Sequence, residues 1–413
     1  MVIGVLSKNY AARRLFLDKL PDAKYKDVRF YNWHLWANAH LWFLRMIGKL
    51  NMSPEEAAAK LFYDYSAIFP LGVDVLHFFN TINHDGHIPW VASVESAIPW
   101  SLEVTRCVES ANPDFTSLRN NKYVRSALDD LAKPNCLALM ALSQCSLNIQ
   151  KQLINKVCPI QEGKIILNKL IKLLPPQSLK VNSVDEKGLS YCDDETFQFI
   201  YVGRNFLRKG GRDTIEVFCR LREKCKCKFK LTIISSLEGD EKKYERTGND
   251  FIQIKQLIND NSDWIEWHGQ LPNSKVLEMV KKSHVALLPT WMDTFAYSVL
   301  ECQACGTPVI STSLRALTEI NDESVGYLIN VPVNELNNPV MNNREQFKVF
   351  EKMLQNGLEQ KIMHVLEHRD EVRKKSTACI ERIRKDYSPE KYTSNLRLLY
   401  KGKVDEVRAQ FGE

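Results

Sequence analysis

The sequence predicts an α/β protein made of two doubly wound parallel sheets. Three observations carry that expectation. Short apolar runs alternate with helical stretches across both halves of the 413 residues. A polar, irregular stretch, Pro175–Thr196, interrupts the alternation and reads as a linker between domains. Finally, His284–Ile320 reads as one strand–loop–helix–strand unit, the repeat from which such sheets are wound.

In chain order, Met1–Ser7 is strand-like, and Val28–Tyr31 is a candidate second strand. Asp74–Asn80, Trp90–Ser96, Cys136–Ser143 and Lys164–Asn168 follow as further strands. Helical patterns separate them at Leu35–Leu50, at Ser53–Tyr65 behind the capping pattern SPEE, at Ser117–Leu131 and at Leu147–Lys156. The second half opens with the strand Phe197–Arg204, the helix Asp213–Lys224 and the strand Lys228–Ser235. A charged loop leads to a strand at Trp264–Trp267, then a helix at Ser274–Lys282. The tail Phe347–Phe411 is helical, with a break at Pro389.

Composition narrows the function. The chain is 44% hydrophobic and 26% charged, ordinary for a soluble globular protein. A net charge of +6 falls short of a dedicated nucleic-acid binder and suits an anionic small ligand or an anionic membrane surface. No apolar run has the length of a membrane span, and Met1–Leu6 is too short for a signal peptide, so the expected location is the cytoplasm. Eleven cysteines are irregularly spaced. The close pairs Cys225/Cys227 and Cys302/Cys305 have no partner pair at zinc spacing, so reduced, mostly buried thiols and no metal are expected.

Two clusters carry chemistry. In the first, VALLP is a buried strand, Thr290–Thr294 a polar loop, and Ala296–Cys305 a helix stopped by Gly306 and Pro308. Asp293 in the loop and Glu301 in the helix would stand roughly 10 Å apart, spaced to hold two ends of one extended ligand. The second is VGRNFLRKGG, Val202–Gly211: two cations, Arg204 and Lys209, then paired glycines leading into a helix. That combination suits an anion at a helix N-terminus. It is neither a Walker loop nor a GxGxxG.

These segments, in this order, resemble the C-terminal domain of retaining family-4 glycosyltransferases of the GT-B fold (glycosyl transferases group 1). The resemblance spans about Phe197–Tyr400. It rests on VGRNFLRKGG, on WIEWHGQLPNSKVLEMVKKSHVALLPT, on DTFAYSVLECQACGTPVIST, and on the closing YSPEKYTSNLRLLY. It implies two Rossmann-like doubly wound domains facing across a cleft. Residues 1–182 would bind acceptor and 195–388 nucleotide sugar, with a C-terminal helix from about 390 to 413 crossing back to the first domain.

The resemblance also implies roles. Arg204 and Lys209, with Gly203 beside them, would neutralise the donor's diphosphate as it departs, so that no metal is required. Asp293 would hold hydroxyls of the transferred sugar and Glu301 those of the ribose. Thr294, Phe295, Ala296 and Tyr297 would offer backbone amides at the helix start, and His268 and Gly269 would border the base. The donor would be a UDP- or GDP-linked hexose or N-acetylhexosamine, with no further cofactor and no dedicated nucleophile. The acceptor would be a surface glycan or glycolipid.

Departures from the family pattern are specific. Asp293 stands where the family usually has Glu, and Thr294-Phe295-Ala296 where it usually has Gly-Phe-Gly. The Gly-rich loop after the first strand is replaced by SKNYAARR, in which Lys8 or Arg13 would meet acceptor or phosphates. Glu95 stands where many members carry a His facing the sugar, as an acceptor contact or a solvated side chain. His84 and His87 are either acceptor contacts or structural. Phe30–Leu50 packs three Trp beside Arg45 and Lys49, which suits an interfacial membrane anchor or a core-facing helix equally. Two other readings stay open: a catalytically silent subunit that binds a nucleotide sugar or a partner, and a nucleotide-sugar epimerase or hydrolase of the same fold.

Overall fold

The computed structural model describes residues 1–6, 10–47, 64–68, 71–224, 227–237 and 248–410. The chain divides into two compact units, Met1–Pro176 with Pro389–Glu413, and Gln177–Ser388. Each contains a six-stranded, wholly parallel sheet.

The first unit runs β1 (Val2–Val5), α1 (Tyr10–Leu15), β2 (Lys24–Asp27), α2 (Trp33–Met46), β3 (Asp64–Tyr65), β4 (Val75–Phe79), β5 (Ile82–Asn83) and β6 (Trp90–Val94). It continues with α3 (Leu102–Glu109), α4 (Lys122–Ala132), β7 (Cys136–Ala141), α5 (Gln144–Val157), α6 (Ile160–Leu167) and β8 (Leu170–Lys172). The strand order is β2-β1-β4-β6-β7-β8, with β3 and β5 forming a separate pair. β6 is buried along its whole length, as a strand covered on both faces must be.

Several sequence expectations need correction. The second strand is Lys24–Asp27, whereas Arg29–Tyr31 is a 3-10 turn. KYKD is a charged, half-exposed edge strand, so it lacks the apolar run that marks inner strands. Lys164–Asn168 falls largely in α6, with Ile166 buried and Ile165 exposed, and the strand comes later at Leu170–Lys172. A short apolar run fits either state. Ser117–Leu131 is two elements, a 3-10 turn at Phe115–Leu118 and α4, whose amide at Val124 is capped by Asn121. Residues 53–63 of the expected second helix lie outside the described residues, and Asp64–Tyr65 at its end form β3.

The second unit runs β9 (Phe197–Val202), α7 (Gly211–Lys224), β10 (Phe229–Ile234), α8 (Gly248–Asp260), β11 (Ile265–His268), α9 (Asn273–Lys281) and β12 (Val285–Leu288). It continues with α10 (Tyr297–Ala304), β13 (Val309–Thr312), α11 (Leu317–Ile320), β14 (Tyr327–Ile329), α12 (Arg344–Glu367) and α13 (Arg369–Asp386). The order β11-β10-β9-β12-β13-β14 reverses direction between β9 and β12. The charged loop expected before β11 includes a helix, α8, whose buried Phe251, Ile254 and Ile258 recur at helical spacing. Most of the expected linker packs on this unit: Lys180 donates its amide to the Ala304 carbonyl at 2.8 Å, and Val181 and Val184 pack on Ile380.

After α13, Pro389 opens α14 (Pro389–Leu399) at the position where a missing N–H costs nothing, and α15 (Val404–Ala409) follows. Both belong to the first unit. Tyr400 Oη and His77 Nδ1 lie 2.7 Å apart, Arg397 pairs with Asp22, and Arg408 donates to the Leu167 and Leu170 carbonyls at 3.0 and 2.9 Å.

Candidate active site

In an open parallel sheet, ligands sit beyond the carboxyl ends of the strands, where the strand order reverses. In the second unit that point lies between β9 and β12, paired in register Phe199 with Val285 and Tyr201 with Leu287. The two loops that leave these strands are residues 203–210 and 289–296, the two clusters singled out in the sequence.

Lys209 Nζ pairs with Asp293 Oδ2. The other carboxylate oxygen of Asp293 accepts the amides of Thr294 at 2.9 Å and Ala296 at 3.2 Å. Ala296 has φ 62° and ψ 62°, a left-handed turn made without the glycine that usually supplies it. The loops are also sewn together through the Arg208 carbonyl, which accepts the Trp291 amide at 2.9 Å and the Thr290 hydroxyl at 3.2 Å. Trp291 is buried and donates Nε1–H to Asp213 at 2.8 Å. Gly210, at φ 74°, lies so close to the Pro289 carbonyl that a Cβ there would overlap it.

Arg204 is exposed in the turn after β9, and among the described residues it pairs with no carboxylate. Gly203 beside it is half-buried. Glu301 is half-buried in the second turn of α10 and accepts from Asn273 Nδ2 at 3.4 Å. Asn273, the first residue of α9, escaped the sequence reading, although it sits in the quoted GQLPN segment. Phe295 is buried against the half-buried Tyr297, ring centroids 4.8 Å apart. His268 Nε2 lies 2.9 Å from Glu266, and Gly269 after it is exposed.

In the first unit, Arg13 is exposed on α1, whereas Lys8 lies outside the described residues. Glu95, just past β6, donates its amide to Asn80 Oδ1 at 2.9 Å. His84 lies between two carboxylates, Nδ1 2.5 Å from Asp130 and Nε2 2.9 Å from Asp64. Tyr123 also donates to Asp64, at 2.9 Å, and Lys133 pairs with Asp130. Burial alone would lower the His84 pKa, but the two carboxylates outweigh it and raise it to about 9. His77 is buried between Tyr400 and Ser93, and burial holds it neutral, well below its usual value.

The helix α2 exposes Trp33 (57%), Trp36 (53%), Phe43 (54%) and Met46 (75%), with Ile47 just beyond. No described helix is long and apolar enough to cross a membrane. Cys302 and Cys305 are buried free thiols, and burial pushes Cys305 up to about 11. Among the described residues no three His, Cys, Asp or Glu side chains are grouped to hold a metal ion.

The pairing of a lysine and an aspartate at the switch point, with a second carboxylate one helix farther on, gives a site that can hold an anion and a polyol together. Residues 190–384 match the profile of the family "Glycosyl transferases group 1". Among curated proteins, the D-inositol 3-phosphate glycosyltransferase of Pseudarthrobacter chlorophenolicus is 26% identical over 130 residues, 30% of this chain and 29% of that one. That of Paenarthrobacter aurescens is 25% identical over 139 residues, 33% and 32% of the two chains. The match thus spans about a third of the length of these relatives. Among solved structures, Anabaena HepE in complex with UDP superposes with a TM-score of 0.56 at 10% identity, over 96% of this chain and 98% of that one. A glycosyltransferase from Rickettsia africae gives 0.52 at 14% identity, over 98% and 90%. Residues 190–384 are thus similar to the glycosyl transferases group 1, and the two parallel six-stranded sheets give the chain the GT-B fold.

Proposed function

We propose that the chain is a retaining, metal-independent glycosyltransferase that moves a hexose or N-acetylhexosamine from a UDP- or GDP-linked donor to a glycan or glycolipid acceptor. The observation that carries this reading is the Lys209–Asp293 pair at the β9/β12 reversal, with Glu301 in the helix that follows. Lys209 and Arg204 bind the diphosphate and stabilise the charge that develops as it leaves. Asp293 receives hydroxyls of the transferred sugar, and the amides of residues 294–297 receive sugar and phosphate oxygens. Glu301, steadied by Asn273, accepts from the ribose hydroxyls, and His268 and Gly269 border the base. One solved structure of Anabaena HepE is a complex with UDP-glucose, which supports a UDP-linked donor for this chain.

Residues 1–182 act as the acceptor domain and 195–388 as the donor domain, with Arg13 and Glu95 as acceptor contacts, whereas both ring nitrogens of His84 are taken by Asp130 and Asp64. The aromatic face of α2 supports docking on an anionic membrane surface, where a lipid-linked acceptor would reside. A panel of UDP- and GDP-sugars tests the reading. The true donor raises the melting temperature and is turned over. Binding without turnover on any glycan or lipid acceptor would leave a nucleotide-sugar-binding subunit instead.

A further inference from the structure

The polar stretch before β9 carries one charged side chain into the interior of the second unit. Lys187 is 5% exposed. Its Nζ donates to the Cys305 carbonyl at 3.2 Å, the Gly306 carbonyl at 2.9 Å and the Thr307 hydroxyl at 2.6 Å. These acceptors lie just past the C-terminus of α10, where carbonyls lack intrahelical partners and carry the negative end of the helix dipole. Gly306, at φ 63°, turns the chain so that they converge on one point.

The contact extends to a second helix. Thr307 donates its own hydroxyl proton to the Val280 carbonyl at 2.9 Å, in the last turn of α9. One ammonium thus fastens the C-terminal ends of α9 and α10 together. Asn273 opens α9 at its other end and donates to Glu301 on α10. Packing alone would be served by an apolar side chain, because burying an ammonium carries a desolvation penalty. What the lysine adds is direction, since its three donors fix where two helix ends lie relative to each other.

We propose that Lys187 is a positioning residue of the donor site, holding α9 and α10 in the register that presents Asn273 and Glu301 to the ribose of the nucleotide. The proposal rests on the assignment of Glu301 to the ribose hydroxyls. Burial lowers the Lys187 pKa to about 8, against the opposing influence of the Cys305, Cys379 and Cys302 thiols and with a smaller push in the same direction from Lys281. The tie therefore weakens in mildly alkaline solution.

The test is calorimetric binding of whichever nucleoside diphosphate, UDP or GDP, raises the melting temperature of the wild-type protein. Lys187→Met should weaken binding about tenfold at neutral pH, raising KM for the donor more than it lowers kcat. Thr307→Val, which cuts the tie to α9 and leaves Lys187 on two carbonyls, should weaken binding by a smaller factor. Between pH of about 7 and about 9 the wild type should lose affinity, whereas Lys187→Arg, charged throughout, should lose less. Equal alkaline loss in wild type and Lys187→Arg overturns the proposal, and so does a folded Lys187→Met that binds like wild type. Glu301→Ala separates the two levels. If it binds normally, the ribose assignment fails, and if it alone is impaired, only the role of Lys187 fails.

Discussion

Lys209 and Asp293, 84 residues apart in the chain, close an ion pair across the loops of two neighbouring strands. Both side chains are mostly buried, 16% and 12% exposed, so each is the other's main neutralising partner in the absence of donor. Under the proposed function, a bound nucleotide sugar would divide them, phosphate oxygens taking the ammonium and sugar hydroxyls the carboxylate.

That division gives opposite signatures to the two truncations. Lys209→Ala should lower both nucleotide affinity and turnover, the latter about 10²–10³-fold, the scale of losing one stabilising donor to a developing charge. Arg204→Ala should fall in the same range. Asp293→Ala should also lower turnover but leave UDP or GDP binding intact or tighter, because the ammonium no longer has a competitor. Steady-state kinetics with parallel calorimetry reads both, and equal loss of nucleotide binding in the two variants would contradict the assignment. Activity should survive a chelator.

Glu301→Ala should weaken the nucleoside diphosphate roughly 10- to 100-fold, the worth of hydrogen bonds to a charged acceptor. Asn273→Ala should have a smaller effect of the same sign, since the Asn273 amide reaches Glu301 only at 3.4 Å. Neither should change the affinity for inorganic pyrophosphate, which has no ribose.

His84 makes the first unit sensitive to pH. Its pKa rises from 6.5 to about 9 on folding, so the protonated form stabilises the native state. The contribution is fully present below pH 6.5 and is lost as pH climbs through about 9. Its upper bound is roughly 3 kcal/mol. His84→Gln should lower the melting temperature at neutral pH and flatten its decline between those limits. An unchanged slope in the variant would show that other groups set the alkaline limit.

The exposed face of α2 should partition into vesicles containing anionic lipid. Trp33→Ser combined with Trp36→Ser should reduce co-sedimentation severalfold, each aromatic burying enough area to contribute about 1–3 kcal/mol. Binding to such vesicles that survived both substitutions would assign α2 to another role. Turnover of a water-soluble acceptor analogue should stay the same, because neither tryptophan is placed in the donor site.

Much of this was legible in the sequence because inner parallel strands are continuous apolar runs. DVLHFF, WVASV, CLALMA, FQFIYV and VALL announce themselves, and the loops after the last two carry Arg204, Lys209 and Asp293. Edge strands do not, since KYKD is charged and half-solvated, LIK has only three residues, and the helix KIIL mimics a strand. Asp293 and Glu301 were readable because one loop and one helix fix their spacing. The groupings built from distant segments were not. His84 meets carboxylates 20 and 46 residues away, and Lys187 meets acceptors 118 to 120 residues away. Tertiary folding alone brings them together.

The hydrogen bond between Tyr400 and His77 spans 323 positions, and with it α14 and α15 complete the first sheet's surroundings. Emerging from a ribosome, the first unit must therefore wait until the residues beyond Pro389 have been made before it can finish burying its own strands. Throughout that interval its partly uncovered apolar surface is open to chaperones and proteases. A stop codon anywhere before α14 would strand the chain in that state, so loss of α14 and α15 should be registered by the cell as a failure to accumulate.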